Sequence, residues 1–374
     1  MVKQKKRVAV IITEYWDICH ADVIITKMLN GFSLDGRKYS SSIDIVAMYI
    51  EKFPDNDIGK EMAAKHQIPL YSTIRETLLN GEVSFDMEGI IIIGEHGDYP
   101  DNELGQTLYP RRRMFEECLN VMLEFDRIVP VYSDKGFAVV KEDIDWMYTQ
   151  IKQHAVPFMS SSVVPFSRRQ PIQIPFPNGA PLHKMFGFAY GALERYTYHT
   201  LEMMQSVAEN RACGESGIKS IRSYRNDEAL DRLMSDEWAV IYRKLGRFIN
   251  LRDVETFPYH LKDPILFELD YVDGLKSGIL FVDPLSENPE INEFVSAYQV
   301  YEHEEPICLE FWLQPRKPYI HFGFLVLEIE KFLHTGRPPF PVERSLLTTG
   351  GVDACMRSLH EEREIMTPEL QVRY

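Results

Sequence analysis

The 374-residue sequence lacks any apolar run that approaches the roughly 20 residues of a membrane-spanning helix. The basic segment Lys3–Arg7 is followed only by the short apolar run Val8–Ile12. A signal peptide needs an apolar stretch of about 7–15 residues, so this segment is more typical of a β-strand. The sequence therefore predicts a protein without a membrane partner.

Positive charge is also scarce. Lys and Arg number 41 against 56 Asp and Glu, which gives a formal net charge of −15. A chain of this charge repels phosphate backbones unless it carries a basic patch, and beyond the segment Lys3–Arg7 the short basic clusters are Arg111–Arg113 and Arg168–Arg169. Nucleic acid is therefore not an expected partner.

Cysteine is sparse and scattered. The sequence has five cysteines, an odd number, and none of them forms a CxxC pair. This pattern excludes a zinc ribbon or a disulfide framework and is typical of reduced thiols in the cytoplasm.

Apolar β-branched runs alternate with helical patterns over the first 150 residues. Such alternation predicts βαβ units and a Rossmann-like parallel sheet. A capping box, Thr73 with Glu76, marks the start of one helix in this region. The predicted strands are Arg7–Ile12, Ile43–Ile50, Met87–Gly94 and Val129–Tyr132.

The pattern changes after about residue 155, where a proline-rich stretch from Pro165 to Pro181 is followed by a helix at about 191–209. A last helix is predicted at about 323–334. We therefore predict two domains, 1–152 and 153–374, with a functional cleft between them and a mostly antiparallel sheet in the second. The strand-like segments of the second domain are Ile265–Tyr271, Gly278–Val282, Phe294–Tyr301 and Ile307–Leu313.

Ionisable residues follow three of the predicted strands. In open α/β sheets, ligands bind outside the carboxyl ends of the strands, so these groups are candidates for a site. A lone histidine such as His20 is more often a helix cap, and Asp134-Lys135 could form a surface turn. The segment Gly94–Pro100 (GEHGDYP) indicates a functional role rather than an ordinary turn, since the glycines of a turn do not require ionisable neighbours. The strand-end groups are Glu14, Tyr15, Asp17 and His20, then Glu95, His96, Asp98 and Tyr99, and finally Asp134 and Lys135.

Glycine is missing where a dinucleotide site needs it. The turn after the first strand, Ile12–Ala21, has no glycine, whereas a pyrophosphate requires close approach of backbone amides. Glu14, Asp17 and a tryptophan in this turn would crowd and repel a pyrophosphate. Glu51, just after the second strand, could still accept a hydrogen bond from a ribose hydroxyl.

Four segments resemble the Gfo/Idh/MocA oxidoreductases, the group of glucose–fructose oxidoreductase and inositol dehydrogenase. Ala63–Thr73 is similar to the family's helix, "gip" and "y-t" stretch, and Asp134-Lys135 stands where the family has Glu-Lys-Pro. Gly191–His199 resembles the "G-A-L-x-D-x-G-x-H" helix, although Arg195 replaces its acid. Phe332–Pro339 is similar to the closing "tGrpp" segment. The resemblance covers nearly the whole chain.

This resemblance implies an NAD- or NADP-dependent oxidoreductase that acts on a sugar or polyol. It also implies a carbohydrate-like small-molecule substrate, no metal, and a homo-oligomer assembled through the C-terminal sheet. Lys135 would polarise the reacting oxygen and His199 would accept its proton, as catalytic residues. The implied cofactor-binding residues are Thr13, Glu51, Glu95 and Asp134, and the implied substrate-binding residues are His20, His96, Asp98, Tyr99, Glu194 and Tyr198.

Two other functions fit the same residues. The first is a non-redox lyase, epimerase or hydrolase, and oxygen and imidazole ligands would suit Zn or Mn if its reaction were metal-assisted. The second is a metabolite-binding protein without a cofactor. The non-redox enzyme would use His20, Glu95, His96 and His199.

Overall fold

The computed structural model describes residues 5–174, 176, 178–251, 253–282, 294–301 and 303–374. Pro175 and Pro177 of the predicted proline-rich stretch lie outside these residues. The chain forms two compact units. Of the described residues, those within 1–102, 107–163 and 314–345 form the first unit, and those within 103–106, 164–313 and 346–374 form the second.

The strands of the first unit are β1 Lys6–Ile12, β2 Phe32–Leu34, β3 Arg37–Tyr39, β4 Ile43–Ile50, β5 Leu70–Tyr71, β6 Gly89–Ile93, β7 Val131–Asp134 and β8 Phe158–Ser161. Those of the second are β9 Arg168–Gln170, β10 Leu182–Tyr190, β11 Ile218–Arg225, β12 Ile265–Tyr271, β13 Lys276–Val282, β14 Phe294–Val300, β15 Ile307–Trp312 and β16 Ile365–Met366.

A π-helical turn, Asp22–Thr26, leads into the first helix. The α-helices are α1 Lys27–Asn30, α2 Gly59–Lys65, α3 Ile74–Leu79, α4 Arg111–Glu124, α5 Lys141–Gln153, α6 Leu193–Ala208, α7 Asn226–Leu233, α8 Ala239–Phe248, α9 His321–Thr335 and α10 Val342–Glu361. Within the described residues, every helix is too short or too polar to span a membrane.

The first unit is built on a six-stranded sheet in the order β5-β4-β1-β6-β7-β8. All of its strand pairs are parallel, and Val10 of β1 lies between Met48 of β4 and Ile91 of β6. Residues 8–12 of β1 and all of β6 are buried, as expected for a parallel sheet covered on both faces. The predicted Rossmann-like sheet is confirmed.

The second unit is built on an eight-stranded sheet in the order β16-β11-β12-β13-β10-β14-β15-β9. Its strand pairs are antiparallel except β10 with β13. The predicted mostly antiparallel sheet is therefore confirmed as well.

Helices of the second unit pack on both faces of its sheet. Successive strand residues point to opposite faces. On β10, Phe186 packs with Trp238 in the cluster formed by α7 and α8, whereas Gly187 lies against Met204 of α6. Helix α10 packs beside α6, where a Cβ on Gly351 would meet Leu201.

The predicted helix at 323–334 is present as α9, but it is not the last helix, because α10 follows it. The sequence pattern also missed β10, although this strand is central to its sheet. Its glycine and basic residues interrupt the apolar run, so periodicity alone does not reveal it.

Candidate active site

The carboxyl ends of β1, β6 and β7 lie side by side, because these strands are neighbours in the parallel sheet. The first unit therefore brings together the ionisable residues that follow them. A histidine–carboxylate pair, an ion pair and a second histidine form the centre of this edge: His20 with Asp134, Glu95 with Lys135, and His96.

His20 and Asp134 form a short pair. The distance from His20 Nδ1 to Asp134 Oδ2 is 2.6 Å. The Tyr132 hydroxyl donates to the other carboxylate oxygen, Oδ1, at 3.3 Å. The Asp134 side chain is buried, whereas the His20 side chain is 18% exposed. A carboxylate on Nδ1 favours the tautomer with its proton there, which leaves Nε2 as the basic nitrogen.

Glu95 and Lys135 form a buried ion pair, with 3.6 Å between Oε1 and Nζ. Burial by itself raises the pKa of Glu95, but the positive charges of Lys135 and Arg111 outweigh it and lower the pKa to about 2. Glu95 is therefore ionised at neutral pH, and its carboxylate holds the Lys135 ammonium beside the strand ends.

His96 lies between the two pairs. Its ring meets the rings of His20 and Trp16 edge-on, with centroid distances of 5.3 and 5.1 Å. In the described part of the chain its buried Nε2 has no hydrogen-bond partner. Burial, together with the positive charge that His20 and Lys135 can carry, lowers the pKa of His96 to about 4. His96 is therefore neutral at pH 7.

We expect the first unit to lose stability as the pH falls from 6.5 toward 4. The depressed pKa of His96 means that the unfolded chain binds a proton at a higher pH than the folded chain does. The loss should be on the order of 1–3 kcal/mol and should shrink in His96→Gln. Urea unfolding at pH 7, 5.5 and 4.5 measures it. His321, whose pKa burial also lowers to about 4, contributes in both proteins. Identical pH profiles for the two proteins would contradict this expectation.

Backbone conformation also marks this edge. Lys135, His96 and Ile18 have φ angles of 67°, 71° and 67°, in the left-handed region that disfavours residues other than glycine. Such conformations cost about 1–3 kcal/mol each and cluster at functional sites.

The glycines of the segment 94–100 have steric roles. A Cβ on Gly94 would lie 2.6 Å from Arg111 Cγ, so only glycine allows Arg111 to pass beside the end of β6. Gly97 has a φ of 114°, and a Cβ there would meet the Tyr99 ring at 2.7 Å. Arg111 is a buried cation that acts on Glu95, although the sequence showed it only as part of a basic cluster and not as a site residue.

The turn after β1 satisfies its own backbone amides. The amide of Trp16 hydrogen-bonds to Cys19 Sγ at 3.3 Å, and the amide of Cys19 donates to the carbonyl of Trp16 at 3.1 Å. The amide of Ile18 donates to Asp22 Oδ2 at 3.0 Å. Burial raises the pKa of the Cys19 thiol to about 11, so the sulfur is uncharged. The amides of Trp16, Ile18 and Cys19 are thus already occupied, and this turn does not fit a dinucleotide in the usual pose.

The two acidic residues of this turn, Glu14 and Asp17, each have a side-chain partner. Asp17 is exposed and pairs with Lys317. Glu14 Oε2 accepts a hydrogen bond from Trp16 Nε1 at 3.1 Å. Cys19 and Asp22, rather than the predicted repulsion by Asp17, therefore carry the argument against a pyrophosphate here.

Glu51 lies at the carboxyl end of β4, where a ribose hydroxyl is bound in dinucleotide-binding sheets. It already has partners: Tyr99 donates to Oε1 at 2.8 Å, and Arg113 pairs with Oε2. Asp98 is exposed, and its carbonyl accepts from Lys52. Thr13 is buried and donates to the carbonyl of Glu95 at 2.6 Å, so its side chain joins two strand ends.

The other predicted residues lie on α6 in the second unit. His199 and Tyr198 are buried, and Glu194 is half-buried in the first turn. The His199 ring contacts Tyr196, Tyr198 and Phe294, with centroid distances of 5.8–5.9 Å. Residues four apart share a helix face, so Arg195 stands one turn before His199, whereas Glu194 stands one turn before Tyr198.

Metal ligation was one of the options for this chain. Among the residues that the structure describes, no three His, Cys, Asp or Glu side chains are placed to hold a metal ion.

No family model matches the chain. No curated protein matches its sequence. Solved structures do share its fold. GenD2 from gentamicin A biosynthesis, in complex with NAD, superposes with a TM-score of 0.63 at 10% identity, over 98% of this chain and 97% of that one. Myo-inositol 2-dehydrogenase from Lactobacillus plantarum gives 0.58 at 12% identity, over 97% and 99%.

A UDP-N-acetylglucosamine 3-dehydrogenase, GnnA from Acidithiobacillus ferrooxidans, gives a TM-score of 0.56 at 11% identity, over 96% of this chain and 98% of that one. The chain therefore has the fold of the Gfo/Idh/MocA dehydrogenases over nearly its full length, as its sequence motifs indicated. At these identities the likeness concerns the fold.

Proposed function

We propose that this chain is an oxidoreductase that acts on a hydroxyl of a sugar or polyol with NAD or NADP. The buried Lys135–Glu95 pair carries the proposal, because it fixes an ammonium group at the strand ends of the first unit. The fold likeness to GenD2 in complex with NAD and to an inositol dehydrogenase supports the same reaction class.

Lys135 would stabilise negative charge on the reacting oxygen. A preorganised cation in a buried site acts more strongly than in water, since little solvent screens it. Glu95 pairs with the ammonium and orients it, and a histidine takes the hydroxyl proton. His199 is the acceptor that the family resemblance implies. His96, Glu194 and Tyr198 remain candidates to bind further hydroxyls.

The nicotinamide dinucleotide, when bound, supplies the hydride acceptor or donor. Glu51 suits one of its ribose hydroxyls, with Arg113 close enough to meet a 2′-phosphate. The turn at Cys19 does not suit its pyrophosphate. The proposal therefore requires a dinucleotide held without the amides of that turn.

The occupied turn favours a second candidate, a non-redox enzyme such as a lyase or epimerase. Proton transfer needs only a base and a group that stabilises the resulting anion. His20 with Asp134 and Lys135 with Glu95 provide both within the first unit.

Calorimetric titration with NAD and with NADP distinguishes the two candidates. For the oxidoreductase we expect the wild type to bind one of them within the range of about 1 μM to 1 mM typical of enzyme substrates. Glu51→Gln should weaken NAD more than NADP, since it frees Arg113. The exposed Glu82→Gln is the control. No detectable binding of either dinucleotide by the wild type would reject the oxidoreductase in favour of the non-redox enzyme or a metabolite-binding protein.

We further propose that the first unit is the dinucleotide-type domain and that the second binds a carbohydrate-like substrate. A cytoplasmic location fits the five cysteines, all of which are free thiols. A homo-oligomer through the C-terminal sheet would have to use a sheet edge, because helices pack on both faces. Exposed Ile172 and Trp312 lie near the β9 edge.

A further inference from the structure

We propose that His20, oriented by Asp134, is the residue of this chain that accepts the substrate proton. The inference rests on the proposed function only for the donor, a hydroxyl of a sugar or polyol. The base itself does not depend on a dinucleotide, because a histidine that accepts a proton can serve an oxidoreductase or a lyase.

The geometry of the pair supports this role. Asp134 is buried and has two partners, the Tyr132 hydroxyl and His20 Nδ1, so its carboxylate is fixed. Its hydrogen bond at 2.6 Å holds the ring of His20 in one orientation. An edge-on contact with Phe322, at a centroid distance of 5.7 Å, supports the ring from another side.

The second ring nitrogen of His20, Nε2, is not occupied by another group of the described chain. His20 Nε2 makes no hydrogen bond with a described residue, and the side chain keeps 18% of its surface exposed. The side chain is therefore partly accessible to a ligand. His199 differs in this respect, because its ring is buried among aromatic rings and Arg195 stands one turn before it.

The proton transfer balances within the chain's own groups. The substrate O–H bond breaks, its proton bonds to His20 Nε2, and its electron pair stays on the oxygen. Asp134 stabilises the resulting imidazolium, as a buried carboxylate does for a histidine base. Lys135, directly after Asp134 in the chain, can stabilise the oxygen.

The first test does not depend on a known substrate. Diethyl pyrocarbonate acylates unprotonated imidazole nitrogens, and peptide mass spectrometry identifies the histidine that reacts. We expect His20 to react at least as fast as the exposed His260 and several-fold more slowly in Asp134→Asn. Nitrogen-15 NMR should show the Nδ1-protonated tautomer of His20 in the wild type and its loss in Asp134→Asn. An unreactive His20, or the Nε2-protonated tautomer, would overturn the proposal.

The second test uses NAD or NADP reduction with myo-inositol and a panel of polyols. His20→Gln should lower kcat by about 10²–10⁴-fold, the usual contribution of a general base, while His260→Gln leaves it unchanged. Full activity in His20→Gln would refute the proposal. A wild type that reduces neither dinucleotide contradicts the proposed oxidoreductase instead, and the acylation and NMR results then decide the role of His20.

Discussion

Lys135→Met should destabilise the first unit by about 3–5 kcal/mol at pH 7, because it leaves the Glu95 carboxylate buried with much less compensating charge. Activity should fall by about 10²-fold or more through loss of the cation at the reacting oxygen. Hydrogen exchange of the β6 and β7 amides measures the stability of this unit separately from the second.

The pH dependence of stability shows whether the buried charge of Glu95 causes the loss of stability in Lys135→Met. In the wild type the lowered pKa of Glu95 keeps its stabilising charge above about pH 4.5, and this contribution is lost only as the pH falls toward 2. Without Lys135 the pKa of Glu95 rises, so protonation relieves the buried charge. The difference between wild type and variant should therefore shrink from pH 7 to pH 5.

The double variant Lys135→Met/Glu95→Gln is the matched control. It removes both charges, so it should recover most of the stability while staying inactive. A Lys135→Met protein as stable as the wild type would show that Glu95 has enough other partners.

Arg211→Met should destabilise the second unit by a similar amount, about 3–5 kcal/mol. The Arg211 side chain is only 2% exposed and joins Glu215, at 2.8 Å, to Asp273, at 2.6 Å. Removing it leaves both carboxylates without their main cation. Faster alkylation of the buried cysteines Cys308 and Cys355 in moderate urea, resolved by peptide mass, reports on this unit.

Arg243→Met gives the comparison, because Arg243 pairs with Glu255 on the surface, where ion pairs contribute at most about 1 kcal/mol. Equal alkylation rates in the two variants would mean that the buried network contributes no more than the surface pair.

Most of the first sheet could be predicted from the sequence, because buried parallel strands are short, continuous apolar runs. Ile43–Ile50 was predicted with the bounds that β4 has. The Thr73 cap was predicted as well, and its side chain accepts from the Glu76 amide at 3.1 Å. In the second unit, β10 mixes basic, glycine and aromatic residues, and its burial comes from the helices on its two faces, α6 on one and α7 with α8 on the other.

The sequence was enough to predict at which edge of the sheet the candidate site lies, but not how its side chains pair. The carboxyl ends of neighbouring parallel strands must meet, so the grouping of His20, Glu95, His96 and Lys135 follows from topology. The pairing of His20 with Asp134 does not, since it depends on side-chain direction. The role of Cys19 was also hidden, because no pattern marks a thiol that accepts hydrogen bonds from its own turn.

The left-handed backbone of Lys135 and His96 has a consequence for ligand binding. These conformations persist only because the surrounding fold enforces them. The directions in which the two side chains leave the main chain are thus fixed before any ligand arrives. Such preorganisation lowers the entropic cost of association and restricts the site to ligands that match an existing shape.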